Sequence, residues 1–152
     1  MIIYFNSHYG SYGYLSNLAP YGIEIEGQDW RTVEHYFQAQ KFAGTPYANF
    51  IQKLRKPQVV KRLGNEMDWP LRSDWDTIQE DVMREAIGRK FASHANIRRQ
   101  LLRTGNAILV ESAPTDYYWG SGADGSGKNR LGRILMDVRA ELQQDPIGRI
   151  TA

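Results

Sequence analysis

From Thr32 onward, apolar residues return at every third or fourth position, in stretches cut short by proline or glycine. That rhythm commits most of the chain to short helices. Val33, Tyr36, Phe37 and Gln40 form a first inward stripe with Thr32 as N-cap, while Glu34, Gln38 and Lys41 fall on a neighbouring face. Thr45-Pro46 and Lys56-Pro57 each put a proline where a helix can begin. Phe50, Ile51 and Leu54 suit the first of these helices, and Val59, Val60 and Leu63 the second, with Gly64 at its exit. Ser73 and Asp76 resemble a capping box that opens the longest helix, running through about Phe91 with Trp75 on its first turn. Its apolar face is Ile78, Val82, Met83, Ala86 and Ile87. Ser93 to Arg103 is a further helix that buries Ile97, Leu101 and Leu102 and stops at Gly105. Leu131, Ile134, Leu135, Val138 and Leu142 define the last helix, which Pro146 closes.

Strand-like runs are few. Ile2 to Phe5 is β-like, Ile23 to Glu26 alternates with period two and turns back at Gly27 toward Trp30, and Ala107 to Val110 is short and apolar. Asn6 to Tyr14 reads as a loop. The expected fold is therefore α+β, a predominantly helical single domain over residues 1–152 with a few short strands. A chain of 152 residues supports one core and is too short for two ordinary ones. With 41% hydrophobic residues, no apolar run near 18 residues and no signal-peptide pattern at the start, a soluble globule without membrane attachment is expected. The absence of cysteine removes disulfides and thiolate chemistry, and is compatible with the cytoplasm. Nineteen basic against seventeen acidic residues is too even for a broad nucleic-acid-coating surface, and leaves room for a local phosphate patch.

Asp116 to Arg139 concentrates the chemistry-bearing residues. Tyr117, Tyr118 and Trp119 precede Gly120, Gly122, Gly125 and Gly127, then Lys128, Asn129 and Arg130, then a helix. Glycines allow backbone N–H groups to approach a ligand, and the helix directs its positive end toward the loop, so an anion cradle is expected here. Two formal motifs fail. Gly120 to Gly125 satisfies GxGxxG but lacks the parallel sheet and the acidic residue of a dinucleotide site. Gly122 to Lys128 approaches a P-loop but continues with Asn129 where a hydroxyl should sit. A long surface loop carrying solvating cations is the plainer alternative.

Glu34 admits two readings. Beside Tyr36 and Phe37 it can sit against apolar surface, where its pKa rises and proton transfer becomes possible. It can equally be a solvated first-turn carboxylate favoured by the helix dipole. His35 reads as a core or rim histidine, and His8, His35 and His94 lie too far apart for a metal motif. Asp116 either orients a ribose hydroxyl or water, or caps a turn. Trp75 and Trp119 either stack on a base or fill the core. Lys41, Arg72, Arg84, Arg89 and Lys90 could add to an anion site.

Several stretches taken together are more specific than any of these. Leu15-Ser16-Asn17-Leu18, Trp30 through Phe42, Leu71-Arg72 with Trp75, Met83 near Lys90-Phe91, and Asp116 through Gly132 with Leu135-Met136 resemble the YbiA-like, or NADAR, family over roughly Tyr4 to Leu142. The resemblance implies a mainly helical fold and an N-glycosidase acting on a ribose-linked substrate. One branch is similar to enzymes that split ribosylamino-pyrimidine phosphates of riboflavin biosynthesis into base and ribose 5-phosphate. Another resembles hydrolases that remove ADP-ribose from guanine in nucleic acid, including antitoxins paired with DNA ADP-ribosyltransferases. The family's acidic helix position falls on Glu34, its base-facing tryptophan on Trp75, and its Asp-x-x-Trp-Gly pattern on Asp116 and Trp119. Glu34 and Asp116 are then the expected catalytic residues. Asn17, Lys41, Trp75, Trp119, Gly120, Gly127, Lys128, Asn129 and Arg130 are the expected substrate contacts, with no cofactor and no metal. A covalent glycosyl-enzyme step on Glu34, or attack by a substrate amine supported by a lysine, stays open beside hydrolysis.

Overall fold

The N-terminal strand β1 (Ile2–Phe5) and the late strand β4 (Ile108–Glu111) lie side by side in parallel, pairing Ile2 with Ile108 and Phe5 with Glu111. This computed structural model describes residues 1–145, so Pro146 lies outside the described residues. Between those strands come a 3₁₀ turn (Gly13–Leu15), the hairpin β2 (Ile23–Ile25) and β3 (Gln28–Trp30), and α1 (Val33–Gln40), α2 (Pro46–Lys53), α3 (Pro57–Glu66), α4 (Trp75–Ser93) and α5 (Ala95–Arg103). After β4 a long loop leads into α6 (Arg130–Gln144). The expected α+β class, mainly helical with a few short strands, is what forms.

Local chemistry sets most boundaries. Glu26 and Gly27 both take positive φ, 53° and 77°, which turns β2 antiparallel onto β3 in register Ile23 with Trp30. The Thr32 hydroxyl accepts the His35 N–H at 3.1 Å, starting α1. Prolines open α2 and α3, and Gly105 at φ 61° follows the end of α5. Two expectations need correction. The Ser73 and Asp76 capping box does not form: Asp74 occupies the N-cap of α4, and its carboxylate is held instead by Arg72, at 2.6 Å to Nε and 3.1 Å to Nη2. Gly64 does not end α3, which continues to Glu66; it is buried inside the helix against α1. Phe50 remains half-exposed beside Trp69, whereas Ile51 is the fully buried residue of α2.

The core gathers on α4, which packs against α1, β2, α5 and α6 and contributes Met83, Ala86, Ile87 and Phe91. Leu131, Ile134, Leu135 and Val138 of α6 and Leu109 of β4 close it. Two polar devices fix this arrangement. Ile108 N–H and, just past β4, Ser112 N–H point toward the N-terminal segment, donating to the Met1 and Phe5 carbonyls. Leu109 C=O and Glu111 N–H face the other way, and the Asn129 side chain takes both: its Oδ1 accepts from Glu111 N–H at 3.0 Å and its Nδ2 donates to Leu109 C=O at 2.9 Å. Gly132, one turn into α6, lies so close that a Cβ there would stand 2.1 Å from the Leu109 carbonyl oxygen.

The second device is Lys90 of α4, 1% exposed, whose Nζ donates to the Ser16 carbonyl at 3.0 Å and sits 5.7 Å from the Tyr21 ring centroid. No acidic side chain pairs with it among the described residues. Burial pushes its pKa down to about 7. It holds the loop Ser16–Leu18 in place from beneath and is no part of a solvent-facing anion site.

Two measurements check these devices. Asn129→Asp puts an acceptor against the Leu109 carbonyl and should cost roughly 2–3 kcal/mol in urea unfolding; an unchanged midpoint would remove the clamp from the account. For Lys90 the folded-state pKa lies below the unfolded value of 10.5, so the unfolded chain binds the extra proton between those limits and wild-type stability rises with pH there. The stability of Lys90→Met relative to wild type should therefore decline by about 1.4 kcal/mol per pH unit between about pH 7 and 10 and stay level below that window. Parallel stability curves across the window would contradict it.

Candidate active site

The face of α1 that carries Glu34, Gln38 and Lys41 borders a cavity of about 290 Å³, whose other walls come from Asn6, Ser16–Leu18, α3, α4, the end of β4, and Asp116, Tyr118 and Trp119. Glu34 is 6% exposed, so the solvated first-turn reading is excluded. Its N–H donates to the Asn17 carbonyl at 3.2 Å, and its Oε2 accepts from Gln38 Nε2 at 2.8 Å. Burial raises its pKa, opposed by the Gln38 hydrogen bond and by the charges of Lys61 and Lys41, while Asp116 adds to the rise. Gln38 is itself locked. A Cβ on Gly64 would stand 2.0 Å from its Oε1 and 2.9 Å from its Cγ, so only glycine lets α3 approach this side chain.

Aromatic rings form the apolar wall. Trp75, on the first turn of α4, lies 5.1 Å from the Phe37 ring, and Trp119 meets the same ring edge-on at 5.4 Å and 86°. Both tryptophans pack against the core and both line the cavity, so core packing leaves them within reach of a bound molecule. The same is true of Asp116. Its Oδ1 accepts from Tyr118 N–H at 3.0 Å and Trp119 N–H at 2.8 Å, fixing the turn that presents Trp119, and the residue also borders the cavity.

Polar groups complete the lining. Asn17 reaches Met83 Sδ with its Nδ2 at 3.4 Å, a weak acceptor, while its Oδ1 is buried without a partner among the described residues. Lys41 Nζ donates to the Gly64 carbonyl at 3.2 Å and to Asn65 Oδ1 at 2.9 Å; burial lowers its pKa and Glu34 opposes that. Lys61, exposed on α3, faces the same space.

The glycine loop behaves differently from expectation. Gly120, Gly127, Lys128, Asn129 and Arg130 do not line this cavity. The backbone donors of the supposed anion cradle are already engaged: Gly127 with Ser121, Lys128 with Tyr117, Asn129 with Gly120, Arg130 with Tyr118 and Leu131 with Trp119, at 2.7–3.1 Å. The glycines serve close packing, since a Cβ at Gly127 would lie 2.4 Å from the Gly120 carbonyl oxygen, and one at Gly120 2.7 Å from the Ala113 side chain. Asn129 clamps β4, Arg130 pairs with Glu80, and exposed Lys128 lies 5.5 Å from the Tyr118 ring centroid. The same holds for other cations considered earlier: Lys90 is buried, Arg72 binds Asp74 and Arg84 binds Asp137. His35 is structural, its ring nitrogens within 2.8 Å of Thr32 Oγ1 and 2.7 Å of the Leu54 carbonyl.

Sequence reasoning missed Glu111, Lys61, Phe37 and Gln38 as cavity residues. Phe37 and Gln38 were visible as faces of α1, and a carboxylate placed directly after the apolar run of β4 was the available sign of Glu111.

Known proteins resemble this chain over nearly its whole length. The NADAR domain model matches residues 4–143. An N-glycosidase of Nostoc punctiforme is 46% identical over 146 residues, covering 94% of each chain. The N-glycosidase YbiA of Escherichia coli is 46% identical over 141 residues, covering 93% of this chain and 88% of that one. A riboflavin biosynthesis protein of Vibrio vulnificus is 39% identical over 93% of this chain, which spans 39% of that longer protein. The NMR structure of E. coli YbiA superposes with a TM-score of 0.87 at 44% identity, covering 96% of this chain and 87% of that one. A matching family model across nearly the whole chain, and relatives of this identity and coverage, place the chain in the NADAR domain family.

Proposed function

We propose that this protein is an N-glycosidase that hydrolyses the C1′–N bond of a ribosylamino-pyrimidine phosphate, releasing the base and ribose 5-phosphate. The observation that carries it is a buried carboxylate, Glu34, oriented by Gln38 at the floor of a cavity whose wall is Phe37, Trp75 and Trp119. The relatives named N-glycosidases and riboflavin biosynthesis proteins support the same reaction and substrate class.

Breaking C1′–N leaves positive charge on the ribose, and a carboxylate beside that carbon stabilises it and accepts a proton from the attacking water. Glu34 fills this role. Gln38 prevents its carboxylate from turning away, and that hydrogen bond together with the Lys61 and Lys41 charges opposes the rise that burial imposes on its pKa. Asp116 orients a ribose hydroxyl or the water, from a turn that already fixes its carboxylate. The three aromatic rings hold the flat base, and Asn17, whose buried Oδ1 has no hydrogen-bond partner among the described residues, turns that oxygen to a ring amino group. The phosphate is received by Lys41 and Lys61, because the glycine-loop donors are consumed within the fold. Phosphorylated ribosides are made and retained in the cytoplasm, where this reading places the enzyme. No described helix is long and apolar enough to cross a membrane.

Purified protein is to be assayed by mass spectrometry on a ribosylamino-pyrimidine phosphate and, in parallel, on ADP-ribosylated guanosine. Release of the pyrimidine is the expected result. Release from the guanosine alone would replace the substrate with an ADP-ribosylated base and bring back a DNA ADP-ribosyltransferase as functional partner. Binding of both without turnover would make the protein a reader. Glu34→Gln should lower kcat by about 10²–10⁴ with KM within a few-fold, and wild-type turnover by this variant would remove Glu34 from the chemistry. Gly64→Ala is informative because alanine favours a helix by about 1 kcal/mol over glycine. Its Cβ must nonetheless displace Gln38, so kcat should fall at least about tenfold in a protein that remains folded by circular dichroism. Full activity in this variant would mean that Gln38 does not orient Glu34.

A further inference from the structure

A second carboxyl group, that of Glu111, borders the same cavity. We propose that Glu111 is the general acid that protonates the leaving base nitrogen, opposite Glu34 as the base that activates water. The inference rests on the N-glycosidase reading above.

Contacts separate the two carboxylates. Glu34 accepts a hydrogen bond from Gln38, a contact that favours its anion. The Glu111 carboxyl receives no hydrogen bond or ion pair from any described residue. Its backbone, in contrast, is held on every side. Its N–H donates to Asn129 Oδ1 at 3.0 Å, its carbonyl accepts from Ser121 N–H at 2.9 Å and Ala113 N–H at 3.0 Å, and β4 pairs it with Phe5. A side chain left unbonded on a backbone so firmly placed, facing a cavity, is a group positioned for something the protein does not itself contain.

The charges facing it favour a proton on it. The titratable groups lining the cavity are Glu34 and Lys41 from α1, Lys61 from α3, and Asp116 and Tyr118 from the loop. Glu111 shares the cavity with two further carboxyl groups, and ionising it places negative charge beside Glu34 and Asp116 in a partly desolvated space. Burial pushes its carboxyl up to about 7, with Lys61 opposing the rise and Asp116 and Glu34 adding to it. Burial raises both carboxyl groups, and the Gln38 hydrogen bond, which Glu111 lacks, favours the anion at Glu34; that difference in contacts assigns the base role to Glu34 and the acid role to Glu111.

The chemistry balances without a further reactant. The C1′–N bond breaks and its electron pair passes to the exocyclic nitrogen, which takes the Glu111 proton and leaves as the amine. Water adds to C1′ and gives a proton to the Glu34 carboxylate. Net return of one proton from Glu34 to Glu111 through solvent restores both groups. An amine leaves poorly as its anion, so an acid in contact with the departing nitrogen contributes most when the leaving group is an unactivated amino-pyrimidine.

The test uses purified wild type, Glu111→Gln and Glu111→Asp with the ribosylamino-pyrimidine phosphate. Wild-type kcat should fall tenfold per pH unit above about pH 7, because the acid is lost by deprotonation. Glu111→Gln should lose about 10²–10⁴ in kcat at pH 6.5 with KM within a few-fold and should lack that alkaline limb, whereas Glu111→Asp should keep the limb with intermediate activity. Retained activity in Glu111→Gln, or a limb unchanged between the variants, overturns the role of Glu111. If Glu111→Gln does not fold, the comparison of wild type with Glu111→Asp decides: an alkaline limb absent from both overturns it. Inactive wild type instead overturns the underlying N-glycosidase reading, and is recognised because it precedes any effect of position 111.

Discussion

The side-chain amide of Asn129 stands in for a third strand on β4, and much of the molecule follows from that substitution. An asparagine tolerates the left-handed backbone it adopts here, φ 51° and ψ 44°, and its amide offers one donor and one acceptor in the sense that a strand edge needs. Because α6 begins at the next residue, the same contact docks the last helix against the sheet. It also fixes where the intervening loop must return, so that Tyr117 to Gly120 can satisfy the first N–H groups of that helix. Trp119 and Asp116 owe their positions to this return, and so does the backbone of Glu111.

The cavity sits where the fold tolerates polar groups that it could more cheaply have replaced. Glu34, Gln38 and Lys90 are all nearly inaccessible, and each is held by few partners. Burying such groups opposes folding unless their hydrogen bonds are good. Here the surrounding shell is arranged in layers. Lys90 supports the Ser16 carbonyl, the next residue Asn17 accepts the Glu34 N–H, and Gln38 holds the Glu34 carboxylate against a helix that glycine allows close. Rigid support of this sort keeps a reactive group in place without relying on flexible loops.

Much of the fold was legible in the sequence because its signals are local. Thr32 capping α1, Pro46 and Pro57 opening helices, Glu26-Gly27 turning a hairpin and Gly105 ending α5 all act within a few residues. Glu34 and the two tryptophans were recognisable through the family pattern. What failed depended on distant neighbours. Nothing local tells that the loop donors at residues 127–131 are spent on carbonyls six to twelve residues earlier, or that Gly64 serves Gln38 on another helix. Asn129 looked like a ligand contact for the same reason: the partner that makes it structural is β4, some twenty residues away. Glu111 escaped because its importance lies in the company it keeps across the cavity, and its own segment reads only as the end of a strand.

The parallel pairing of β1 with β4 has a consequence for how the protein is made. Parallel neighbours cannot be joined by a tight turn, and here the connection is nearly the whole helical body of the chain. Most of α1 through α5 can assemble while the N-terminal strand still lacks its mate, leaving that strand's backbone edge and apolar side chains uncovered until residues 108–111 have been synthesised. Such distant closure is slow relative to helix docking. On the ribosome, the nascent chain would thus hold Glu34 and Trp75 early and acquire the opposite wall of its cavity last, so the interval before that closure is when the chain is most exposed to misassembly.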